Sequence, residues 1–183
     1  MKKVAVLLAD GFEEIEAITS IDLLRRAGAQ VTTVSITHRT VLGAHGVHVI
    51  ADGLLDDVTA SDWDMLVLPG GMPGAKHLRE NGRVIELVRQ VHESGKWVAA
   101  ICAAPMVLAE AGILAGRMAT CYTGFLDEFP SVKRVDKPIV TDQNLITARG
   151  PGVALDFALM LIEKLLGEST RKKVEEPLLR PVA

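Results

Sequence analysis

The chain has 183 residues, of which 49% are hydrophobic and 23% are charged, so it carries enough apolar material for a buried core. A net charge of -3, a pI near 6.0 and an aromatic content of 4% exclude the basic surface and stacking side chains of a dedicated nucleic-acid-binding protein. Two cysteines are too few for a disulfide framework, which indicates free thiols in a reducing compartment.

Apolar runs rich in Val and Ile alternate with segments of helical period along the chain. The first run, residues 4–8, ends at Asp10 and is too short for a signal-peptide core or a membrane span. It therefore predicts the first strand of a cytoplasmic protein without a membrane partner. The predicted strands are residues 4–8, 31–36, 65–68, 97–101 and 145–148.

Three segments between or after these strands carry apolar residues at helical spacing, namely residues 15–24, 84–91 and 153–165. The alternation predicts one α/β domain over residues 1–183, with a mostly parallel sheet covered by helices. Residues 40–42 and 47–51 flank a Gly43-Ala44-His45-Gly46 turn, which predicts a small side hairpin.

The residues that follow the predicted strands carry most of the chemistry of the chain. In an open parallel sheet these junctions meet at one edge, where ligands bind. Four junctions are expected to face one crevice: residues 10–16, residues 69–74, residues 102–105 and residues 149–152.

Cys102 lies where a predicted strand passes into a helix. Small alanines surround it and Pro105 suits the first turn of the helix, which is the layout of a nucleophile elbow. A helix N-terminus favours thiolate over thiol, so the sequence predicts a lowered pKa and a nucleophilic sulfur. The alternative is an inert buried cysteine. Cys121 follows a strand-like segment with no such turn, which indicates a supporting role.

Three carboxylates, Glu13, Glu14 and Glu16, open the first helix, where the helix dipole alone would favour them. A carboxyl group beside the thiol would relay protons, and Glu16 is the candidate for this role. Gly70 and Gly71 provide either turn geometry alone or bare amides for an oxyanion hole.

The glycine-rich loop lacks the residues of a phosphate-binding fingerprint, so no nucleotide cofactor is expected. The five histidines are scattered, and His45 and His48 on one strand would point to opposite faces. No metal site is therefore expected.

With these residues in place, the sequence resembles the ThiJ/PfpI superfamily and its DJ-one branch from Val4 to about Pro181. The motifs that carry the resemblance are residues 9–16, 68–71, 99–105 and 148–152. The resemblance implies a flavodoxin-like sandwich, usually a homodimer, with Cys102 as nucleophile and Glu16 hydrogen-bonded to its sulfur. It also implies backbone amides from Gly71 and Ala103 near that sulfur.

The resemblance further implies a cofactor-independent glyoxalase or deglycase activity on glyoxal, methylglyoxal and their early adducts. Ala103 stands where the protease-like branch has a histidine, so peptidase activity is not expected. Cys121 and His45 stand where a relative has a pocket histidine and an arginine. Glutamine amidotransferases need a histidine after their cysteine, and none follows His92.

Two functional hypotheses remain open at this point. In the first, Cys102 attacks a reactive dicarbonyl and Glu16 relays protons. In the second, Cys102 is the oxidisable thiol of a redox sensor or redox-regulated chaperone. Both hypotheses depend on the same reactive sulfur.

Overall fold

The computed structural model describes residues 1–180 as a layered α/β fold built on a seven-stranded sheet. The strands are Lys3–Leu8 (β1), Gln30–Ser35 (β2), Thr40–Leu42 (β3), His48–Ile50 (β4), Gly53–Leu54 (β5), Met65–Leu68 (β6), Trp97–Ile101 (β7), Met118–Ala119 (β8), Lys133–Arg134 (β9), Ile139–Asp142 (β10) and Leu145–Ala148 (β11). The α-helices are Glu14–Arg26 (α1), Gly74–Glu80 (α2), Gly82–Glu93 (α3), Pro105–Glu110 (α4), Ala154–Leu166 (α5) and Glu168–Glu175 (α6).

The main sheet has the strand order β10-β11-β7-β6-β1-β2-β5. All neighbouring pairs are parallel except β10 with β11, which is antiparallel. The five predicted strands are all present, with bounds shifted by at most one residue in β1 and β2. The prediction of a mostly parallel sheet is confirmed.

Helices cover both faces of this sheet. Both α3 and α5 pack on β7, yet α3 contacts α2 and α4 whereas α5 contacts α1 and α6. The two helical groups therefore lie on opposite faces, which is what right-handed crossovers require when the chain moves outward in both directions from β1 and β6.

A topological switch point lies between β1 and β6. From β1 the chain passes through α1 to β2 on one side, and from β6 it passes through α2 and α3 to β7 on the other. The connections diverge, so a crevice opens at the carboxyl ends of these two strands. The predicted junctions after β1, β6 and β7 all reach this crevice.

The predicted side hairpin is confirmed as the antiparallel pair β3 and β4. Two main-chain hydrogen bonds attach it to the start of α1: the Gly11 amide donates to the Leu42 carbonyl at 2.7 Å, and the Ala44 amide donates to the Phe12 carbonyl at 2.8 Å. The hairpin is thereby held beside the crevice.

The core lies on both sides of the central strands. Residues 4–8 and 65–68 are completely buried, as expected for strands with helices on both faces. One hydrophobic cluster runs through the sheet and both helical layers. Within residues 1–180, no helix has the length and apolar character needed to cross a membrane.

Candidate active site

Cys102 lies in a tight turn between β7 and α4. Its φ of +64° is in the left-handed region that a residue with a β-carbon rarely adopts, so the turn stores backbone strain. Two main-chain hydrogen bonds hold it: the Cys102 amide donates to the Ala148 carbonyl at 2.9 Å, and its carbonyl accepts from the Tyr122 amide at 2.8 Å. Pro105 occupies the first helical position, as expected.

Glu16 is the third residue of α1 and is fully buried. Its Oε2 atom accepts a hydrogen bond of 2.7 Å from the Gly70 amide, and its carboxyl group lies within hydrogen-bonding reach of the Cys102 thiol. Within residues 1–180, its Oε1 atom has no hydrogen-bond partner. A buried carboxyl group is thus placed against the sulfur with one oxygen still unsatisfied.

The glycine loop after β6 allows the Glu16 carboxyl group to lie against Cys102. A β-carbon at Gly70 would lie 2.7 Å from the Cys102 Cβ and 2.8 Å from Glu16 Oε2. Gly71 has a φ of +88°, and a β-carbon there would lie 2.3 Å from the Glu13 nitrogen. Both positions require glycine, because side chains would occupy the space that brings the loop, the thiol and the carboxyl group together.

Backbone amides also face the sulfur. The N–H groups of Gly71 and Ala103 both donate towards the Cys102 thiol group. The structure therefore brings together five of the predicted site residues: Cys102, Glu16, Gly70, Gly71 and Ala103. Two fixed amides beside a nucleophilic atom form the arrangement that stabilises an oxyanion or an anionic sulfur.

Burial shifts the pKa values of both partners. Burial raises the pKa of Glu16 to about 7, against the hydrogen bonds from Gly70 and Cys102. Burial and the charge of Glu16 raise the pKa of Cys102 to about 12, although the amides of Gly71 and Ala103 act to lower this pKa. The sequence-based expectation of a lowered Cys102 pKa is thus corrected, because it rested on the helix N-terminus alone.

His45 lies in the hairpin turn and not on a strand. Its ring Nδ1 is 2.8 Å from Glu14 Oε2, and its amide donates to Glu14 Oε1 at 2.6 Å. Burial alone would raise the pKa of Glu14, but these hydrogen bonds outweigh it and lower the pKa. The hydrogen bond to Glu14 raises the pKa of His45, whose side chain is largely exposed.

The same turn brings Glu13 to within 3.6 Å of the His45 ring. Ligand atoms of Glu13, Glu14 and His45 lie within 4.8 Å of one another, a spacing that a metal ion can bridge. The sequence argument missed this cluster because it compared His45 only with His48, and the contact with the α1 carboxylates depends on how the hairpin docks. The two hydrogen bonds between His45 and Glu14 close the turn and account for the short spacing within this cluster.

Cys121 follows β8 and is half-buried. Its thiol donates to the Tyr122 carbonyl at 3.0 Å, and the amides of Leu126 and Phe125 point towards its sulfur. Burial raises the pKa of Cys121 despite these amides. The hydrogen bond from the Tyr122 amide to the Cys102 carbonyl places Cys121 one residue from a contact with the Cys102 turn.

Access to Cys102 is narrow, since only 9% of the residue is exposed. A groove of about 700 Å³ opens nearby, bordered by Met72 after the glycine loop, Met106 in α4 and Phe125. A second groove of about 480 Å³ contains Cys121. The limited exposure of the sulfur favours a small reactant over a bulky one.

The fold and the site together define a class of protein: an α/β sandwich with a cysteine at a strand-to-helix elbow and a buried glutamate against it. A family model described as the DJ-1/PfpI family matches residues 2–164. The chain belongs to the DJ-1/PfpI family, which confirms the resemblance in its motifs.

Individual relatives agree with this assignment. The chain is 38% identical over 98% of its length to Protein DJ-1 homolog B of Arabidopsis thaliana, of which it spans 42%. It is 36% identical to Deglycase PfpI of Pyrococcus furiosus, over 82% of this chain and 91% of that protein. It is also 36% identical to the glutathione-independent glyoxalase DJR-1.2 of Caenorhabditis elegans, over 91% of this chain and 89% of that protein.

The fold agrees at the level of coordinates as well. The crystal structure of Drosophila melanogaster DJ-1beta matches this chain with a TM-score of 0.94 and 40% identity, over 99% of each chain. The predicted α/β sandwich is thereby confirmed.

Proposed function

We propose that this protein removes reactive dicarbonyls through Cys102, acting on glyoxal or methylglyoxal or on their early adducts, without a cofactor. The observation that carries the proposal is the contact of the Cys102 sulfur with buried Glu16 and with the amides of Gly71 and Ala103. Relatives named as a deglycase and as a glutathione-independent glyoxalase support it.

The proposed resting state has the proton on Glu16 and the negative charge on sulfur. An ionised Glu16 would leave Oε1 buried without a donor, whereas a protonated Oε1 donates to the Cys102 thiolate. Sulfur would then accept from this O–H and from two amides. Burial raises the pKa of the Cys102 thiol to about 12 and the charge of Glu16 adds to this rise, so the proposed thiolate requires Glu16 to keep its proton and the amides of Gly71 and Ala103 to offset the burial.

In the first step, the thiolate adds to the aldehyde carbon of methylglyoxal and forms a carbon–sulfur bond. The carbonyl electron pair moves to oxygen, where the amides of Gly71 and Ala103 stabilise the hemithioacetal oxyanion. Glu16 supplies the proton for this oxygen and becomes a carboxylate.

In the second step, the Glu16 carboxylate removes the proton from the former aldehyde carbon and returns a proton to the neighbouring carbon. The hydroxyl proton of the first carbon passes to the oxygen of the neighbouring carbon, so the hemithioacetal becomes an isomeric 2-hydroxy thioester without any external oxidant. Water then hydrolyses the thioester, so methylglyoxal plus one water yields lactate and the free thiol.

The proposal is tested by product analysis with methylglyoxal. The wild-type chain should form lactate without added glutathione or metal, and Cys102→Ser should lose that turnover while staying folded. Cys121→Ser is the matched control and should keep the activity. Full turnover by the Cys102→Ser chain would contradict the proposal.

A second candidate function is oxidative sensing or redox-regulated chaperone action at the same sulfur. The unsatisfied Oε1 of Glu16 favours it, because a protonated carboxyl group there would donate to an oxygen of a sulfinate. Selective gain of two oxygens at Cys102, without dicarbonyl turnover, would favour the sensor over the enzyme.

We further propose that the protein acts in the cytoplasm as a homodimer. Exposed apolar side chains lie on α1 and on the adjoining hairpin: Ile15, Ile18, Leu42, Val47 and Ile50. The hairpin is hydrogen-bonded to the start of α1, so these residues lie on adjoining parts of the protein surface. A second copy of the chain is the proposed occupant of this face.

A further inference from the structure

We propose that Cys121 is a second redox-active thiol, which closes an intramolecular disulfide with Cys102 after a hydroperoxide has oxidised the Cys102 sulfur. This inference rests on the proposed reactivity of Cys102 and assigns it a protein partner. It gives Cys121 a chemical role at a position outside the proposed dicarbonyl steps.

The main chain places the two cysteines close together. The Tyr122 amide donates to the Cys102 carbonyl at 2.8 Å, and Cys121 is the residue directly before Tyr122. That bond pairs Cys102 with Tyr122, and consecutive α-carbons are about 3.8 Å apart, so Cys121 lies one residue from the hydrogen-bonded contact. Disulfides join residues whose α-carbons are about 4.4–6.8 Å apart, and the proposal requires the turn after Cys121 to let the pair reach this range.

The surroundings of Cys121 leave its sulfur available. The residue is half-buried and borders an open groove, and its thiol donates only to the carbonyl of the next residue, at 3.0 Å. Rotation about the side-chain bonds of Cys121 breaks this hydrogen bond and moves the sulfur away from the amides of Phe125 and Leu126. The segment after Cys121 consists of turns, which accommodate such an adjustment.

The chemistry balances in two steps. The Cys102 thiolate attacks the terminal oxygen of a hydroperoxide, which gives a sulfenic acid at Cys102 and an alcohol or water from the peroxide. The Cys121 sulfur then attacks the Cys102 sulfur, an S–S bond forms, and the sulfenic hydroxyl leaves as water with the Cys121 proton. The peroxide is reduced by two electrons, and the two thiols are oxidised to one disulfide.

The consequence is that Cys121 competes with further oxidation. A sulfenic acid that meets no thiol is oxidised by more peroxide to a sulfinic acid, which common thiols do not reduce. A disulfide is returned to two thiols by a dithiol reductant. Cys121 thereby keeps the nucleophile of the proposed dicarbonyl reaction recoverable.

The test is intact mass measurement after treatment with about two equivalents of hydrogen peroxide, since a sulfinic acid takes one oxygen from each of two peroxide molecules. The wild-type chain should lose about 2 Da as a monomer, whereas Cys121→Ser should gain about 32 Da at Cys102. Trypsin should release peptides 97–117 and 118–133 joined by a disulfide only from the wild type. Thr123→Ala, in the same segment but with both thiols, is the matched control and should form the disulfide.

A second readout is recovery of methylglyoxal turnover after peroxide. Dithiothreitol should restore most of the wild-type activity but little of the Cys121→Ser activity. Equal gain of oxygen in both chains, or a disulfide found only between two chains, would overturn the inference while leaving the proposed dicarbonyl reaction intact. Loss of the dicarbonyl reaction itself would be seen separately, as absent turnover before any peroxide is added.

Discussion

At the residue scale, Gly70 is the position where a single methyl group has the clearest expected effect. A β-carbon there would overlap both the Cys102 Cβ and the Glu16 Oε2 atom, and it would also approach the Ile101 carbonyl to 2.9 Å. We predict that Gly70→Ala lowers the free energy of unfolding by about 1–3 kcal/mol and abolishes most turnover. Urea denaturation and product formation measure the two effects.

Gly82→Ala is the matched control for this substitution. Gly82 is the first residue of α3, and an added β-carbon there meets no atom within 4 Å. The same chemical change should therefore leave both stability and turnover near wild type. If Gly70→Ala behaved like this control, the close packing around the thiol and the carboxyl group would not be required for activity.

Glu16→Gln separates the proton-relay role of Glu16 from its place in the fold. The amide keeps the size of the side chain and donates to sulfur, but it neither releases nor accepts a proton near neutral pH. We predict that dicarbonyl turnover falls by about 10²–10⁴. Alkylation of Cys102 by iodoacetamide should change by no more than about tenfold, because the thiolate remains. Equal loss of both signals would argue against a relay.

The sequence predicted the members of the site better than it predicted their electrostatics. Cys102, Glu16, Gly70, Gly71 and Ala103 follow strands of one parallel sheet, so their convergence at one edge follows from topology. Their pKa shifts depend on burial and on the thiol–carboxyl contact, which no local pattern reports. The approach of His45 to Glu14 was missed for the same reason, since it depends on how the hairpin docks.

At the scale of elements, Asp64 links the amino-terminal ends of three strands. Its carboxylate accepts from the Lys3 amide at 3.0 Å and from the side chains of Lys2 and Lys96 at 3.2 Å each. The hydrogen bond from Lys3, supported by the two lysines, lowers the pKa of Asp64 to about 2. The ionised carboxylate is therefore favoured in the folded state.

The direction of the pH dependence follows from this shift. Because the folded pKa is lower than the unfolded one, the stabilisation is present above about pH 4 and is lost as the pH falls through about 2. We predict that Asp64→Asn lowers the free energy of unfolding by about 1–2 kcal/mol at pH 7 and has little effect at pH 2. Asp57→Asn, at an exposed position, is the control. A deficit that persisted unchanged at pH 2 would contradict the account.

Long buried strands were predicted well, and short edge strands were not. Three of the five predicted strands, β1, β6 and β7, carry continuous apolar runs, because helices cover both of their faces. By contrast, β5 has two residues, and in β10 only Val140 is buried, so neither shows a clear apolar pattern. Helix α2 was also missed, since only Ala75 and Leu78 give its seven residues an apolar side beside buried Gly74.

At the scale of the whole molecule, the apolar face of α1 and the hairpin predicts the state of assembly. Ile18, one of the α1 residues of this face, is 43% exposed. We predict that the wild-type chain is a dimer and that Ile18→Lys shifts it towards monomer, because burying an unpaired ammonium group opposes association. Size-exclusion chromatography with light scattering measures the mass.

Met118→Lys is the control for the dimer prediction. Met118 is similarly exposed, at 47%, but lies on β8 away from the α1 face. The same substitution there should leave the mass unchanged. A wild-type chain that is monomeric at micromolar concentration would contradict the dimer prediction.

The overall architecture followed from the order of elements, whereas its extent as one domain over residues 1–183 stays a prediction. Alternating strands and helices permit few arrangements once crossovers are right-handed. The hydrophobic cluster includes Val4 near one end and Val174 near the other, which agrees with that organisation for residues 1–180. Residues 181–183, which include Pro181 at the end of the predicted resemblance, lie outside the described residues.

The central claim is that Glu16 holds the proton while Cys102 is a thiolate. Thiolate ultraviolet absorbance, titrated in Cys121→Ser so that one thiol contributes, tests it most directly. The account predicts thiolate absorbance already present at pH 7 and absent when Cys102 is also changed to serine. Absorbance that appears only as the pH approaches about 12, the pKa that burial and the charge of Glu16 give this thiol, would contradict it.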